Sequence, residues 1–272
     1  MNEETRTAFT PEEEAAESGR GKRGRSVVLF FVVLVLLLGG LSAVYAVFFR
    51  VETVIASPST HYASEELIAA AGIPEKTRLY SFSSLDVEAN IKRACPYVLS
   101  VSVKRVMPDR VEITVTEDSA VFYGDVFGET WLFSGSLRVL ENVGEEIPEG
   151  CIRLKLPPIE NAVAGETLVF RDRDMNDYAE EVLSAVREAA LFTRMNWVDL
   201  RDENELVMVC DSLYLLKFGT AEDVDIKLRV AETVLRDEVF KGGSRARIDL
   251  SKACSATKET SVILDNELDL EL

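Results

Sequence analysis

The sequence predicts an α+β protein with a single N-terminal transmembrane helix, a βααββ module and a larger, mostly antiparallel β domain with two packed helices. Three observations support this class: an uncharged apolar run near the amino terminus, a strand–helix–helix–strand–strand order of patterns after it, and many short strand candidates beyond. The predicted segments are a disordered tail (1–25), the transmembrane helix (26–49), the βααββ module (50–118), the β domain (119–264) and an acidic tail (265–272).

The apolar run at residues 27–49 carries no charged side chain. An α-helix rises ~1.5 Å per residue and the hydrocarbon core is ~30 Å thick, so the run is long enough to span a bilayer. A cleaved signal peptide is the alternative, but its apolar core is usually only ~7–15 residues long and ends at a small-residue cleavage site. This run ends Val47-Phe48-Phe49-Arg50, which favours an uncleaved anchor in membrane lipid.

The flanks of this run predict its orientation. Four basic residues precede it: Arg20, Lys22, Arg23 and Arg25. Because basic flanks stay cytoplasmic, we expect the tail to lie inside the cell and everything after Phe49 to lie outside. The tail has little apolar content, so it cannot bury enough surface to offset its ordering entropy.

Charge and cysteine content narrow the function classes. The net charge of −17 argues against a nucleic-acid partner, because phosphate binding needs a basic face. The four cysteines are widely and irregularly spaced and match no metal or redox motif. An extracytoplasmic location permits disulfides, yet unpaired, mostly buried thiols are the slightly favoured interpretation.

Residues 51–117 predict two helices packed over a three-stranded sheet. A β-branched strand at Val51–Ile55 precedes a helix that Ser64 is expected to cap and that Gly72 and Pro74 end. A second helix is predicted to begin near Ser83 and to close before Pro96. A hairpin follows, in which apolar and polar residues alternate on both sides of a turn at 107–110.

Beyond residue 118 short strand candidates alternate with glycine and proline. A helix is expected from about Asp177 to Thr193, and a second after Thr220, whose hydroxyl is predicted to cap it. The strand candidates are Ala120–Phe127, Thr130–Phe133, Leu137–Leu140, Ile152–Leu156, Leu206–Cys210, Leu213–Phe218, Ala246–Leu250 and Ser261–Leu264.

Several short stretches, taken in order, resemble the FtsQ/DivIB family of cell-division proteins, whose module outside the membrane is a POTRA domain. They are Val51–Ile55 leading to Tyr62–Ile68, Pro96–Val98 with the hairpin around Met107-Pro108-Asp109-Arg110, Glu117, Phe218-Gly219 followed by Lys227-Leu228, and Ile248-Asp249-Leu250. The chain departs from the family at Pro58-Ser59, at Asp118-Ser119-Ala120 and at Ser251, where the family often has Gly-Asn, Arg with Pro, and Arg.

The resemblance implies a scaffold without enzymatic activity, catalytic residues, metal or cofactor. It implies partners of the FtsB/DivIC and FtsL kinds, a link to the septal peptidoglycan synthase complex, and enrichment at the division septum. In this family a partner segment pairs with the edge of the late sheet, and backbone hydrogen bonds make such strand addition physically favourable. The candidate partner-binding residues are Arg245, Arg247, Ile248, Asp249, Leu250, Ser251 and Lys252.

Two structural alternatives stand beside these site predictions. Ile248 and Leu250 are equally well explained as core residues of an inner strand. The hairpin cations Lys104, Arg105 and Arg110 are a secondary docking candidate, although a cationic cluster beside a turn is more often a solvated face.

The sequence is compatible with two rival functions besides the scaffold. A membrane-anchored extracytoplasmic cell-wall hydrolase would have to use a carboxylate pair, because His61 is the sole histidine and lies in a polar turn. Nothing in the spacing singles out such a pair. A POTRA-bearing transport or assembly factor is the third hypothesis, and the short strands interrupted by helices disfavour it.

Overall fold

A computed structural model describes residues 27–42, 49–237, 244–254, 260–264 and 268–270. Helix α1 covers residues 27–42, and its apolar side chains are exposed. Within the described ranges, no helix combines the length and the apolar character needed to cross a membrane. The predicted transmembrane segment 26–49 also includes residues 26 and 43–48, and these lie outside the described residues, as does the predicted tail 1–25.

The strand–helix–helix–strand–strand order predicted for residues 51–117 is confirmed. β1, β3 and β2 form a three-stranded sheet in that spatial order. The elements are β1 (Thr53–Ala56), α2 (Ser64–Ala71), α3 (Ser84–Ala94), β2 (Val98–Val106) and β3 (Arg110–Glu117).

The helix ends of this region follow local chemistry, with one correction. Ser83 caps α3, because its hydroxyl accepts the Asp86 N–H at 3.4 Å, and Gly72 ends α2 in the left-handed conformation at φ +61°. The prediction that Ser64 caps α2 is wrong. Ala63 holds the cap position, and its N–H donates to the Glu66 carboxylate at 3.1 Å.

A nine-stranded sheet dominates the rest of the chain, in the order β14-β13-β12-β11-β10-β7-β4-β5-β6. Five of its eight neighbouring pairs are antiparallel, so the predicted α+β class with a mostly antiparallel sheet is confirmed. Its strands are β4 (Ala120–Val126), β5 (Glu129–Ser134), β6 (Val139–Asn142), β7 (Ile152–Lys155), β10 (Met195–Asp199), β11 (Leu206–Cys210), β12 (Tyr214–Gly219), β13 (Ala246–Asp249) and β14 (Ser261–Leu264). A separate two-stranded sheet pairs β8 (Ile159–Asn161) with β9 (Val169–Phe170).

Helices α4 (Asp174–Glu188) and α5 (Val224–Leu235) bury one face of the large sheet. Their apolar stripes, which include Val182 and Leu228, pack in one cluster with fully buried aromatic side chains of the strands such as Phe122 and Phe218. Burial of a large apolar side chain is worth about 1.5–3 kcal/mol, so this layer of helices supplies much of the stability of the sheet.

The buried Lys227 ties α5 to the end of β12. Its side chain is 3% exposed, and Nζ donates to the carbonyl of Phe218 at 3.0 Å and to that of Thr220 at 2.8 Å. Burial lowers the pKa of Lys227. The prediction that the Thr220 hydroxyl caps α5 is wrong, because the cap position belongs to Asp223 at φ +54°.

The described residues form two compact units. The first contains the described residues up to Val54, with Pro74–Phe82 and Lys104–Glu112. The second contains Ile55–Ile73, Ser83–Val103 and the residues from Ile113 onward. The predicted domain limits at 50–118 and 119–264 stay predictions.

A polar cluster within the second unit anchors the loop before α2 to the end of β3. The Glu117 carboxylate accepts the N–H groups of Thr60 at 2.9 Å and His61 at 3.1 Å, and it lies 3.3 Å from the His61 ring nitrogen Nδ1. The His61 ring stacks on Tyr97 at a centroid distance of 3.9 Å. Burial alone would raise the pKa of Glu117, but hydrogen bonds from Ser59, His61 and Thr60 outweigh it and lower the pKa to about 2.

We expect Lys227→Met to lower the free energy of unfolding by about 1–3 kcal/mol, because two main-chain carbonyls lose their charged donor in a buried position. Chemical denaturation of the purified chain measures this. Arg229→Met on the same helix is the matched control, since the Arg229 side chain is 69% exposed and pairs with Asp225 one turn away. An equal effect of the two substitutions would contradict the role assigned to Lys227.

We expect Glu117→Gln to lower the free energy of unfolding by about 1–3 kcal/mol at neutral pH and to flatten its dependence on acid pH. The folded pKa of about 2 lies below the ordinary 4.5, so the stabilisation is full above pH 4.5 and is lost as the pH falls towards 2. Denaturation curves across this window measure it.

Glu112→Gln serves as the control for this pH dependence, because its 3.8 Å pair with the exposed Lys104 is a surface contact. A wild-type slope between pH 4.5 and 2 in the Glu117 variant would refute the assignment.

Candidate functional site

The outer strand of the described sheet is β14, and it is exposed on both faces. The fractional exposures of Val262, Ile263 and Leu264 are 41%, 57% and 54%. β13 lies inside it, parallel to β12 and antiparallel to β14. The edge predicted near residues 246–252 therefore lies one strand further out, because Ser261–Leu264 returns antiparallel and occupies the free side of β13.

The candidate partner-binding residues divide between core and surface. Ile248 and Leu250 are fully buried in the cluster beneath α5, so their side chains do not face a partner. Arg245, Arg247, Ser251 and Lys252 are exposed, and Asp249 is half-buried. Partner binding by these residues stays a prediction, but a contact through the Ile248 and Leu250 side chains does not fit their burial.

The end of β13 is shaped by a turn at Asp249. Its carboxylate accepts the Ser251 N–H at 2.9 Å, and hydrogen bonds from the Ser251 side chain and backbone lower the pKa of Asp249. A Cβ on Gly219, which has φ +70°, would lie 3.2 Å from the Ser251 Cβ. The Phe218-Gly219 step and the Ile248-Asp249-Leu250 stretch, quoted separately in the sequence, thus meet in space.

The secondary docking residues do not act as a free cationic cluster. The Arg105 guanidinium donates to the carbonyls of Leu79 at 2.9 Å and Phe82 at 2.8 Å, and it lies 4.8 Å from the Phe82 ring centroid. These contacts make Arg105 a structural residue of the first unit. Lys104 pairs with Glu112, and Arg110 is exposed.

The alternation of acids with leucine in the predicted tail indicates either a frayed end or a short linear contact, and Leu268 and Leu270 make such a contact on the face of the large sheet opposite to α4 and α5. The predicted acidic tail 265–272 includes Leu268, which is 4% exposed and packs against Trp197, Val209 and Leu215. Residues 265–267 and 271–272 lie outside the described residues. Alternation of leucine with acids was the available signal, since it is typical of an extended segment with one apolar side.

Groups with catalytic potential are held in structural contacts. The His61 ring faces Glu117 and Tyr97, and burial raises the pKa of the Cys210 thiol to about 12. Over the described ranges, no three His, Cys, Asp or Glu side chains gather as metal ligands.

Comparison with known proteins adds an independent line of evidence. The POTRA domain of FtsQ type matches residues 49–118. The chain is 23% identical to the cell division protein DivIB of Clostridium botulinum (strain Hall) over 234 residues, which cover 85% of this chain and 89% of that protein. It is 20% identical to DivIB of Clostridium tetani over 205 residues, which cover 75% of this chain and 77% of that protein.

A relative of the FtsQ type matches a shorter stretch of the chain at higher sequence identity. The chain is 36% identical to the cell division protein FtsQ of Streptomyces venezuelae over 98 residues, which cover 36% of each chain. The POTRA match, the long DivIB alignments and the FtsQ similarity agree with the fold described above, and together they support the resemblance of this chain to the FtsQ/DivIB family of cell-division proteins.

Proposed function

We propose that the chain is a non-enzymatic scaffold of the division machinery, in which β14 captures an extended segment of a small single-pass division protein of the FtsB/DivIC or FtsL kind. Through these partners it would help to position or regulate the septal peptidoglycan synthase. The observation that carries the proposal is the exposed β14 edge, whose apolar side chains Val262, Ile263 and Leu264 are all more than two-fifths exposed.

The hydrogen-bond directions support strand addition at this edge. Ala246 donates its N–H to Leu213, just before β12, and Leu250 donates to Lys217 within β12. Neighbouring residues of a strand point their main-chain groups to opposite sides, so those of Arg247 and Asp249 face β14. Their partners Ile263 and Ser261 then face inward, and the main-chain groups of Val262 and Leu264 point outward. Among the described residues no strand pairs with β14 on that side, so these outward groups can bond to the backbone of an added segment.

At the other end of the sheet, β6 bonds to a loop of the same chain, in contrast to β14. Val139 of β6 donates its N–H to the Glu166 carbonyl at 2.8 Å and accepts the Gly165 N–H at 2.8 Å. Leu168 donates to the Leu137 carbonyl in the same way at 2.9 Å. The start of that edge is closed by the protein's own loop. An exposed apolar edge invites uncontrolled pairing, so a dedicated partner is a physical reason to keep β14 open.

The membrane anchor belongs to the same proposal. The side chains of α1 are apolar and exposed along its length, and basic residues precede it in the sequence. We infer a cytoplasmic amino terminus, one membrane-spanning segment at 26–49 and an extracytoplasmic bulk enriched at the septum. Such a tether would keep the chain at the membrane, where single-pass partners are also held.

We expect Val262→Pro to reduce capture of the division partners roughly tenfold, which corresponds to about 1.4 kcal/mol. Proline removes the outward N–H of β14 but leaves the bonds between β13 and β14 in place. Co-purification of FtsB/DivIC-like and FtsL-like proteins after cross-linking in dividing cells measures the capture.

Val262→Thr is the matched control for this test, because it keeps the outward N–H and the β-branched shape. We expect it to retain capture, and both variants should unfold within a few degrees of the wild type. Undiminished capture by the proline variant would rule out strand addition at β14.

We expect protease added outside intact spheroplasts to remove an epitope placed at the carboxyl terminus and to spare one at the amino terminus. The basic flank before α1 is the physical reason. Immunoblotting of both epitopes measures the outcome, and lysed cells provide the control in which both disappear. Loss of the amino-terminal epitope alone would contradict the predicted orientation and indicate the opposite one.

A further inference from the structure

The face of the large sheet opposite to α4 and α5 carries an apolar row flanked by arginines. Register places Arg153, Trp197, Val209, Leu215 and Arg247 side by side across β7, β10, β11, β12 and β13. Residues directly opposite one another in neighbouring strands share a face. Their sequence neighbours, such as Val198 and Leu216, lie in the core under the helices.

The chain's own carboxyl-terminal segment lies on this row. Leu268 packs against Trp197, Val209 and Leu215, all at most 8% exposed, and Leu270 packs against the same group. Lys155 Nζ lies 4.0 Å from the Trp197 ring centroid. We call the sheet surface formed by Arg153, Lys155, Asn196, Trp197, Ser212 and Arg245 the Trp197 groove. Asp269 and Leu270 of the resident segment form the facing wall of the same cavity.

Two side chains of the groove bind the main chain of this segment. Arg245 Nη1 donates to the Leu268 carbonyl at 3.1 Å, and Trp197 Nε1 donates to the Leu270 carbonyl at 3.0 Å. Carbonyls of alternate residues suit donors on one side of an extended chain. Because these donors contact backbone oxygens, they bind any segment that is extended and places leucine at the same register.

The positive charge of the Trp197 groove makes it selective for acidic segments. Arg153, Lys155 and Arg245 line one groove in a chain whose net charge is −17. The segment 265–272 reads Asp-Asn-Glu-Leu-Asp-Leu-Glu-Leu, with four acids and no base. Complementary charge of this kind favours an acidic ligand and disfavours a neutral or basic one.

We propose that the Trp197 groove is a peptide-binding site for an extended, acidic, leucine-containing segment of a partner protein, and that the chain's own residues 268–270 occupy it as an intramolecular competitor. The proposal does not depend on strand addition at β14, because the groove lies on the face of β10–β12 and uses side-chain donors. A partner would have to displace the resident segment before it binds.

The test uses the purified full-length chain, a form that ends after Leu264, and a fluorescein-labelled peptide with the sequence of residues 265–272. We expect the shortened chain to bind the peptide and the intact chain to bind it roughly tenfold or more weakly, since a tethered segment competes at an effective concentration of about millimolar. Fluorescence anisotropy measures both affinities. Equal affinities would overturn the proposal.

Charge and folding controls accompany this comparison. In the shortened chain, Arg245→Glu should weaken binding roughly tenfold or more, whereas Arg229→Glu on the opposite side of the sheet and Val262→Pro at the edge should leave it unchanged. If shortening causes aggregation, the intact chain with Leu268→Lys and Leu270→Lys replaces it. Failure of a folded tail-free or tail-released form to bind would overturn the proposal.

Two further measurements distinguish binding of the chain's own tail or a peptide in the Trp197 groove from exchange of the tail between two copies of the chain. Trp131→Phe leaves Trp197 as the one tryptophan of the sequence, so tryptophan fluorescence then reports the groove. We expect the emission maximum to shift when the tail is removed and to return to its original wavelength when the peptide is added. Light scattering should find no concentration-dependent dimer linked to the tail. A dimer that vanishes in the shortened chain would assign the segment to exchange between copies and refute the partner site.

Discussion

Backbone hydrogen-bonding groups at the two ends of the nine-stranded sheet impose the constraint on which the rest of the structure depends. A buried N–H or carbonyl needs a partner, and an exposed row of them is a template for another strand. At β6 the chain solves this internally with the 165–168 loop. Position 165 of this loop requires glycine, since its φ is +86° and a Cβ there would lie 2.7 Å from the carbonyl oxygen of Lys92 in α3. At β14 the corresponding groups of Val262 and Leu264 face outward, which makes the two ends of one sheet functionally unequal.

Much of the fold was predictable because local patterns and tertiary packing agree. Period-two alternation located the hairpin of β2 and β3, and helical spacing located α5, whose apolar stripe faces the sheet. The sequence did not predict β10, for two reasons. Met195–Asp199 places asparagine and aspartate among its apolar residues, and the helix before it was predicted to run to Thr193. In the structure α4 ends at Glu188, which frees the chain to enter that strand.

The candidate site was harder to predict, because its features depend on contacts between distant residues. A strand pattern at 246–250 does not reveal whether another strand covers its free side, and β14 does so. Three basic side chains likewise make contacts with distant residues that the sequence does not reveal. Arg105, Lys227 and Arg245 each donate to main-chain carbonyls elsewhere in the fold, so charges that look solvated in sequence are structural ligands. Local propensity carries no information about such pairs, whereas the caps at Ser83 and Gly72 involve only neighbouring residues.

Net charge and local charge have separate consequences in this molecule. At physiological ionic strength, charges separated by more than about 8–10 Å are largely screened from one another. A segment that reaches the Trp197 groove therefore responds to Arg153, Lys155 and Arg245 rather than to the overall charge of −17. Strand alternation is what concentrates these cations, because it sends apolar neighbours such as Leu154 and Ala246 into the core and leaves the arginines on the open face. An acidic protein can in this way recognise an acidic segment, including its own.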